Sequence, residues 1–283
     1  MSAASRVLLV NPTITSARSA RFPLAILSLA ARVGERHPTT LIDGNLDRDF
    51  IATTVRALDS GNVGAVGISV MGGPQLPSAI ALSKAIRAAS PATPIIWGGH
   101  FPTNRPDASL ASPFVDYAVR GQGEETLEEL IDALFVKDDA RVAGIAGLSH
   151  RGSGGTVHNA ERAFSAGPLT QQLPYRRLAK LNRYLTHTCL GVRTAGYQAA
   201  LGCRFRCTFC GVAGMFRGRT ALPTAARLEE DLQFLRALGT DAIQFYDHNF
   251  FDREVDMVPL LEVLARFSLP WWCFARADAL LNL

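Results

Sequence analysis

The sequence predicts an α/β protein, with a doubly wound parallel sheet in its first half and the beginning of a (β/α) barrel in its second half. Two patterns support this fold class: short apolar runs alternate with helix-like segments in both halves, and several runs end in glycine or another small residue. Continuous apolar runs are typical of parallel strands that are buried on both faces. The length of 283 residues suits about two domains.

Five strands are expected in the first half. Their apolar runs lie at 7–10, 39–42, 65–70, 94–97 and 115–119. Segments with helical spacing or helix-start signals lie at 24–36, 49–58, 78–89 and 124–135. This alternation predicts a Rossmann-like sheet, and ligands of such sheets bind at the carboxyl ends of the strands.

Small residues stand at three of the predicted strand ends: Ser69, Gly98 with Gly99, and Gly121. Small residues let a large ligand approach the backbone closely, although each glycine taken alone also suits a simple turn. The dinucleotide fingerprint G-x-G-x-x-G lacks its third glycine at 121–126 and would follow the fifth strand instead of the first, so a dinucleotide is not expected.

Strands at 196–200, 241–246 and 271–274 and helices at 224–238 and 255–267 are expected in the second half. This is how a (β/α) barrel begins, and its active site forms at the carboxyl ends of the strands. Between the halves, 148–158 has the pattern of a hairpin, and a polar, proline-containing stretch follows it. The predicted divisions are a first domain at 1–140, a hairpin and linker at 141–190, and the barrel segment at 191–283.

Three cysteines dominate the second half: Cys203, Cys207 and Cys210 form C-x3-C-x2-C in a chain with five cysteines in all. Three thiolates can hold three irons of a 4Fe-4S cluster, which normally takes four protein ligands, so one iron stays open to a substrate. A structural zinc site needs four ligands, and neither Cys189 nor Cys273 stands at a regular spacing. A disulfide framework is not expected in a long, cysteine-poor chain.

The cysteine loop resembles that of the radical S-adenosylmethionine (SAM) enzymes, C-x3-C-x-aromatic-C, with Phe209 in the aromatic position. The resemblance implies that SAM binds the open iron and that a reduced cluster cleaves it to a 5'-deoxyadenosyl radical. It also implies an electron donor such as flavodoxin or ferredoxin. A core of this family has about six β/α units, so the barrel in this sequence is expected to be partial and incomplete at its C-terminus.

The same resemblance suggests further SAM-binding residues after the second and third barrel strands. Tyr246 ends the second strand, and Asp247 and Asn249 would accept from the ammonium group of SAM. Arg276 would face a carboxylate. For Asp247 a helix cap or a loop ion pair is an equally open interpretation.

The first half resembles the cobalamin-binding domain that precedes many radical SAM domains, at 67–69, 97–103 and 116–126. The resemblance implies a cobalamin site. Its residues would be Ser69, Gly98, Gly99, Gly121 and Glu124.

The sequence departs from one pattern of that domain. Where relatives that ligate cobalt have D-x-H-x-x-G, residues 43–48 contain Asn45 in place of the histidine and lack the final glycine. This implies a corrinoid without a histidine ligand, or a domain that has lost its cofactor. His100 is expected to be a loop or core residue.

The predicted function is that of a cobalamin-dependent radical SAM enzyme that methylates an unactivated carbon of a small molecule. The alternatives are a ring-forming or rearranging enzyme similar to anaerobic porphyrin cyclases, and a non-enzymatic corrinoid- or zinc-binding sensor module. No residue is assigned as catalytic. The composition, with 48% hydrophobic and 19% charged residues, is that of a globular protein.

The expected location is the cytoplasm. No apolar run reaches the roughly 18 residues of a membrane span. The net charge of +4 is spread without a Lys/Arg block, which argues against nucleic acid as a partner.

Overall fold

The computed structural model describes residues 5–252 and 254–281, so the outer limits of the predicted domains, residues 1 and 283, lie outside this description. The chain divides into two compact units. The first comprises the segment up to Ser16 and Ala25–Ala163, and the second comprises Ala17–Leu24 and the chain from Phe164 onward.

The first unit is built on a seven-stranded sheet. Its strands are β1 (Arg6–Asn11), β2 (Thr39–Asp43), β3 (Val63–Ser69), β4 (Ile95–Gly98), β5 (Tyr117–Val119), β6 (Leu148–Gly152) and β7 (Gly155–His158). The spatial order is β2-β1-β3-β4-β5-β6-β7; β1 to β5 are parallel, and β6 and β7 are antiparallel to their neighbours. The order of the strands reverses between β1 and β3, which is where ligands of such sheets bind.

Helices cover both faces of this sheet. They are α1 (Leu24–Val33), α2 (Phe50–Asp59), α3 (Gln75–Ala89), α4 (His100–Asn104), α5 (Pro106–Leu110), α6 (Glu124–Val136) and α7 (Asp139–Val142). Val7 and Leu9 of β1 pack in one core with α1 and α6, while Leu8 and Val10 pack in another with α2 and α3. Burial on both faces explains the continuous apolar runs and confirms the predicted doubly wound fold.

The hairpin predicted at 148–158 is present as β6 and β7, and it extends the first sheet. β6 pairs antiparallel with β5, so the hairpin is part of the first unit. The chain after the hairpin is fastened to α6 by Arg162, whose guanidinium pairs with Glu125 at 3.0 Å and Glu129 at 2.5 Å. The first unit therefore extends into the region predicted as a linker at 141–190.

In its described residues, the second unit has two small sheets. Its strands are β8 (Leu185–Thr186), β9 (Thr194–Tyr197), β10 (Leu201–Gly202), β11 (Thr220–Ala221), β12 (Ala242–Phe245) and β13 (Trp271–Trp272), and its helices are α8 (Gly211–Phe216), α9 (Ala225–Ala237), α10 (Val258–Phe267) and α11 (Ala277–Leu280). Single 3-10 turns lie at Ala17–Ser19, Gly167–Thr170, Tyr175–Arg177, Leu181–Tyr184 and Glu254–Met257.

The larger of these sheets has the order β13-β12-β9-β8. β9, β12 and β13 are parallel, and β8 is antiparallel at the edge. Because α9 precedes β12 and α10 precedes β13, this part of the chain has the strand–helix alternation predicted for a (β/α) barrel. Within the described ranges, no helix combines the length and the apolarity needed to cross a membrane.

A short segment between β1 and α1 belongs to the second unit because of two of its side chains. The ring of Phe22 is buried, with its centroid 4.9 Å from that of Tyr175 and 5.1 Å from that of Tyr184. The guanidinium carbon of Arg21 lies 4.1 Å from the ring centroid of Tyr246. Aromatic pairs and a cation over an aromatic face are both stabilising.

Candidate functional site

Two strand ends lie side by side at the carboxyl edge of the first sheet. Ser69 ends β3, Gly98 ends β4, and the two are partners in the parallel register. Thr103 links Gly99 and Gly121, because its hydroxyl donates to the Gly99 carbonyl at 2.7 Å and accepts from the Gly121 amide at 2.9 Å. The structure therefore places the four predicted small residues at one edge of the sheet.

The backbone at this edge favours glycine at two positions. Gly99 has a φ of 98° and Gly121 a φ of 71°, values that side-chain-bearing residues rarely adopt. A β-carbon on Gly99 would lie 3.2 Å from the carbonyl oxygen of Val70, whereas one on Gly121 would meet no heavy atom within 4 Å. At Gly98 the nearest heavy atom would be the β-carbon of Val119, at 3.7 Å. The open space beside Gly121 and the missing side chains fit a bulky ligand such as a corrinoid.

A largely buried polar cluster, formed by Asn11, Asp43, Asn45 and Gln75, lies near the ends of β1 and β2. Asp43 Oδ1 accepts from Asn11 Nδ2 at 2.8 Å and from the backbone and side-chain nitrogens of Asn45 at 3.1 Å. Asn45 Oδ1 accepts from two backbone amides of the loop after β1, at 2.9 and 3.0 Å. Gln75 Nε2 donates to Asn11 Oδ1 at 2.9 Å. Asn45 is thus engaged at both ends of its amide group.

Glu124 is the first residue of α6 and follows Gly121 by three positions in the sequence. The Ser28 hydroxyl donates to its Oε1 at 2.6 Å, while its Oε2 is buried and accepts no hydrogen bond from the residues that the structure describes. A carboxylate in the first turn is favoured by the helix dipole, which gives Glu124 a structural role. Its predicted role in binding cobalamin stays a prediction.

A serine, a histidine and an aspartate are hydrogen-bonded in series beside the hairpin. Ser149 Oγ lies 2.8 Å from His158 Nδ1, and His158 Nε2 lies 3.1 Å from Asp107 Oδ1. Ser149 is fully buried, so no substrate can reach its hydroxyl as a nucleophile would require. These bonds fasten the hairpin to α5.

The three cysteines of the second unit lie on a loop that is closed by the β10–β11 ladder. The amide of Cys203 donates to the carbonyl of Arg219 at 3.0 Å. Gly202 has a φ of 86°, and a β-carbon there would collide with the same carbonyl, so only glycine fits directly before the first cysteine. The amide of Cys210 donates to the carbonyl of Cys207 at 3.0 Å. All three thiols are half-buried.

A buried carboxylate that no local sequence pattern reveals, Asp252, holds the start of this loop. Its Oδ2 accepts from the amide of Arg204 at 3.0 Å, and its Oδ1 accepts from Asn249 Nδ2 at 3.2 Å and lies 3.8 Å from the sulfur of Cys203. Asn249 Oδ1 in turn accepts from the amide of Arg276 at 3.1 Å. Asn249 and Asp252 therefore connect the cysteine loop to the segment after β13.

Asp247 follows β12 and supports the chain that enters the cysteine loop. Its carboxylate accepts from the amides of Ala199 and Ala200, at 3.2 and 2.5 Å. The side chain is buried, and this burial raises the pKa of its carboxyl group to about 7. Burial, together with the charge of Asp247, raises the pKa of the Cys273 thiol to about 11. The Cys273 thiol therefore stays protonated at neutral pH.

We expect Asp247→Asn to change the pH dependence of folding stability. The carboxyl group has an ordinary pKa of 3.8 and a pKa of about 7 in the folded protein, so between these values the folded state holds a proton that the unfolded state releases. This contribution to the free energy of unfolding is present below about pH 4 and is lost as the pH rises to about 7, by up to about 1.4 kcal/mol per pH unit. Urea unfolding across this pH range checks it, and identical profiles for the two proteins would contradict it.

Arg276 reaches the cysteine loop from the segment after β13. Its Nη1 donates to the sulfur of Cys207 at 3.5 Å, and its guanidinium carbon lies 3.9 Å from the ring centroid of Phe205. Its Nε and Nη2 donate to the carboxylate of Asp278 at 2.9 and 2.8 Å. The guanidinium predicted to face a carboxylate of SAM is thus held against a cysteine sulfur.

The two aromatic residues predicted at the SAM site differ in their surroundings. The hydroxyl of Tyr246 donates to Gln244 Oε1 at 2.5 Å, and its amide donates to the carbonyl of Tyr197 at 2.7 Å. Phe209 is 91% exposed, which leaves its ring accessible to a ligand. The predicted roles of both residues in binding SAM stay predictions.

The donor set of the loop fits an iron–sulfur cluster with one open iron. All five cysteines are free thiols, and Cys189 and Cys273 lie outside the loop. In the part of the chain that the structure describes, no group of three or more His, Cys, Asp or Glu side chains is arranged to hold a metal ion. This holds for the three loop cysteines as well, so the arrangement of the side chains does not distinguish zinc from a cluster. What matches the open cluster is the number of ligands, three thiols on one partly exposed turn.

Comparison with known sequences identifies part of the first unit. The model of the B12 binding domain family matches residues 11–131. An uncharacterized methyltransferase of Pyrococcus horikoshii is 28% identical over 233 residues, which cover 81% of this chain and 49% of that protein. The anaerobic magnesium-protoporphyrin IX monomethyl ester cyclase of Synechocystis is 30% identical over 148 residues, which cover 50% of this chain and 27% of the cyclase. The chain thus spans about half or less of the length of these relatives.

Solved structures share the fold. The radical SAM methyltransferase TsrM from Kitasatospora setae, with cobalamin and a 4Fe-4S cluster bound, has a TM-score of 0.69 at 21% identity over 93% of this chain and 51% of its own. The cobalamin-dependent SAM radical enzyme OxsB, with aqua-cobalamin and SAM bound, has a TM-score of 0.77 at 19% identity over 98% of this chain and 39% of its own. These matches confirm the resemblance stated from the sequence. Residues 11–131 of the chain therefore match the B12 binding domain family, and the chain has the fold of the cobalamin-dependent radical SAM enzymes.

Proposed function

We propose that this chain acts as a cobalamin-dependent radical SAM enzyme that methylates an unactivated carbon of a small-molecule substrate. The observation that carries the proposal is the presence in one chain of a B12-binding domain at 11–131 and a three-cysteine loop closed by β10 and β11. In this proposal Cys203, Cys207 and Cys210 hold a 4Fe-4S cluster whose fourth iron is open to SAM.

The chain's own residues hold the loop and line the SAM site in this proposal. The bound cluster, SAM and cobalamin supply the radical and the methyl group, while the protein positions them. Asp252 fixes the amide that follows the first cysteine, and Asp247 fixes two amides that precede it. The residues proposed at the SAM site are then Phe209, Tyr246, Asp247, Asn249 and Arg276. Of these, Asp247 and Asn249 are buried and hydrogen-bonded within the protein, so they shape the site by holding its loops.

Cobalamin is proposed to bind at the carboxyl edge of the first sheet, with Ser69, Gly98, Gly99 and Gly121 as the floor of the site and Glu124 beside it. Support comes from the paired ends of β3 and β4 and from the open space beside Gly121. This edge also contains the point at which the order of the strands reverses, where ligands of such sheets bind.

Bound cobalamin should lack coordination by a histidine nitrogen. Asn45 stands where cobalt-ligating relatives have histidine, and both ends of its amide group are used within the protein. Paramagnetic resonance of reduced cobalt should show no hyperfine splitting from an imidazole nitrogen. His37→Ala and His100→Ala should leave the spectrum unchanged; imidazole splitting in the native protein would show that the cobalt ligand is misassigned.

An external electron donor of the flavodoxin or ferredoxin kind is part of the proposal, because the cluster must be reduced before SAM is cleaved. We place the protein in the cytoplasm, since its five cysteines are free thiols and such thiols persist in a reducing compartment. Neither a membrane nor a nucleic acid has a role in the proposed reaction.

A ring-forming or rearranging reaction is the second candidate. It is favoured by the 30% identity to the anaerobic cyclase over 148 residues. Both candidates use the same cluster and SAM, but only the methyltransferase requires a methyl group to pass from SAM to cobalamin and on to the substrate.

The proposal is tested with anaerobically prepared protein, SAM, cobalamin and a chemical reductant. We expect reductant-dependent formation of 5'-deoxyadenosine and, for the methyltransferase, of methylcobalamin. Cys207→Ala should form no deoxyadenosine, whereas its matched control Cys189→Ala should behave as the native protein. Deoxyadenosine without methylcobalamin would favour the second candidate; stoichiometric zinc in place of iron would overturn both and favour a non-enzymatic module.

A further inference from the structure

The guanidinium of Arg276 is held at a cysteine sulfur by three separate contacts. Its Nε and Nη2 edge is occupied by the carboxylate of Asp278, at 2.9 and 2.8 Å. Its plane lies over the ring of Phe205, at 3.9 Å from the centroid. The remaining nitrogen, Nη1, donates to the sulfur of Cys207 at 3.5 Å. The backbone amide of Arg276 is also bound, by Asn249 Oδ1.

These contacts fix a permanent positive charge and a directed donor. Arginine stays protonated in proteins and presents its donors as a planar fork, so a bidentate carboxylate sets the orientation of the whole group. Asp278 occupies one edge of that fork and directs the free Nη1 toward Cys207. An arginine that served only to bind a ligand carboxylate would not need this contact with a sulfur.

We propose that Arg276 is a positioning residue for the iron–sulfur cluster, whose hydrogen bond to the Cys207 sulfur raises the reduction potential of the cluster. The inference rests on the proposed function. When the cluster accepts one electron from the external donor, its negative charge grows by one and no bond is formed or broken. A cation and a hydrogen bond at a ligand sulfur stabilise this reduced form more than the oxidised form, and both are established determinants of cluster potentials.

The test is a redox titration of the reconstituted protein, followed by paramagnetic resonance, with SAM left out. We expect Arg276→Gln to lower the equilibrium constant for one-electron reduction about tenfold, which lowers the midpoint potential by about 59 mV. Arg276→Lys should recover part of the loss, because it restores the charge but not the planar fork. Asp278→Asn should raise the potential, because it removes the carboxylate charge that lies beside the guanidinium and partly offsets its positive charge.

Arg266→Gln is the matched control. Arg266 makes an ion pair with Glu229 at 2.7 Å on the helical side of the second unit, so its loss should leave the potential unchanged. Iron content is measured for every variant. If Arg276→Gln does not retain iron, Arg276→Lys and Asp278→Asn decide the question.

Two outcomes would overturn the inference. The first is a reduction potential, measured without SAM, that is unchanged in iron-loaded Arg276→Gln or in both Arg276→Lys and Asp278→Asn. Arg276 would then have a role only in binding SAM. A native protein that assembles no cluster would overturn the proposed function as well. If the native protein has a normal cluster but the variants have an unchanged potential, only the role of Arg276 is overturned.

Discussion

Cys203→Ala, Cys207→Ala and Cys210→Ala should each abolish assembly of the iron–sulfur cluster, whereas Cys189→Ala and Cys273→Ala should leave it intact. The loop supplies three thiols, and losing one leaves two, too few to hold the cluster. Cys189 and Cys273 lie outside the loop, and the raised pKa of Cys273 keeps its thiol protonated. Iron, acid-labile sulfide and visible absorption after anaerobic reconstitution measure the outcome.

Cobalamin content and thermal unfolding serve as controls for these variants. The three loop thiols are only half-buried, so their loss should not unfold the second unit. The residues that match the B12 binding domain family lie largely in the first unit, so the cobalamin content of these variants should remain that of the native protein. Loss of the cluster in Cys189→Ala or Cys273→Ala would contradict the three-ligand assignment.

Gly98→Trp should weaken cobalamin binding by roughly 100-fold or more, about 2.7 kcal/mol, while the cluster still assembles. A β-carbon at Gly98 lies at an ordinary contact distance of 3.7 Å from its nearest neighbour, so a side chain can begin there without a backbone clash, and we expect its indole to occupy space in the proposed site. Gly99 is less informative because its φ of 98° strains any side chain there. Cobalamin content and iron content of the same preparation report the two effects.

Gly154→Trp provides the matched control. Gly154 lies in the turn between β6 and β7, and a β-carbon there meets no heavy atom within 4 Å, so the same bulky residue is added away from the proposed site. It should bind cobalamin normally. Normal cobalamin binding by Gly98→Trp would show that the site lies elsewhere. Because the cluster lies in the second unit, thermal unfolding compared with Gly154→Trp shows whether the first unit of the variant is folded.

Long elements of the first unit could be predicted because their signals are local. β1 and β3 are apolar runs buried on both faces, and α6 starts with two acidic residues that favour a helix N-terminus. The five-residue helices α4 and α5 and the two-residue strands β8, β10 and β11 were not predicted. Elements this short are stabilised by their partners in the fold, so their own residues carry little signal.

The residues of the candidate site also divide into those with a local sequence signal and those without one. Cys203, Cys207 and Cys210 were predicted from their spacing because they lie on one contiguous loop, and Asn45 was recognised from its place in a motif. Asp252 was missed because the cysteine that its carboxylate approaches is 49 residues away in sequence. The contact of Arg276 with the Cys207 sulfur spans 69 residues, so sequence reasoning assigned the side chain to SAM alone. Hydrogen bonds between distant segments leave no periodic or local pattern.

One measurement tests most directly whether this chain combines a corrinoid with a radical SAM cluster. Iron, acid-labile sulfide, zinc and cobalamin are quantified together in protein prepared and reconstituted anaerobically. A cobalamin-dependent radical SAM enzyme should contain about four iron and about four sulfide per chain, together with about one cobalamin and no stoichiometric zinc. Stoichiometric zinc without iron, or a protein that retains neither sulfide nor cobalamin, would contradict this function.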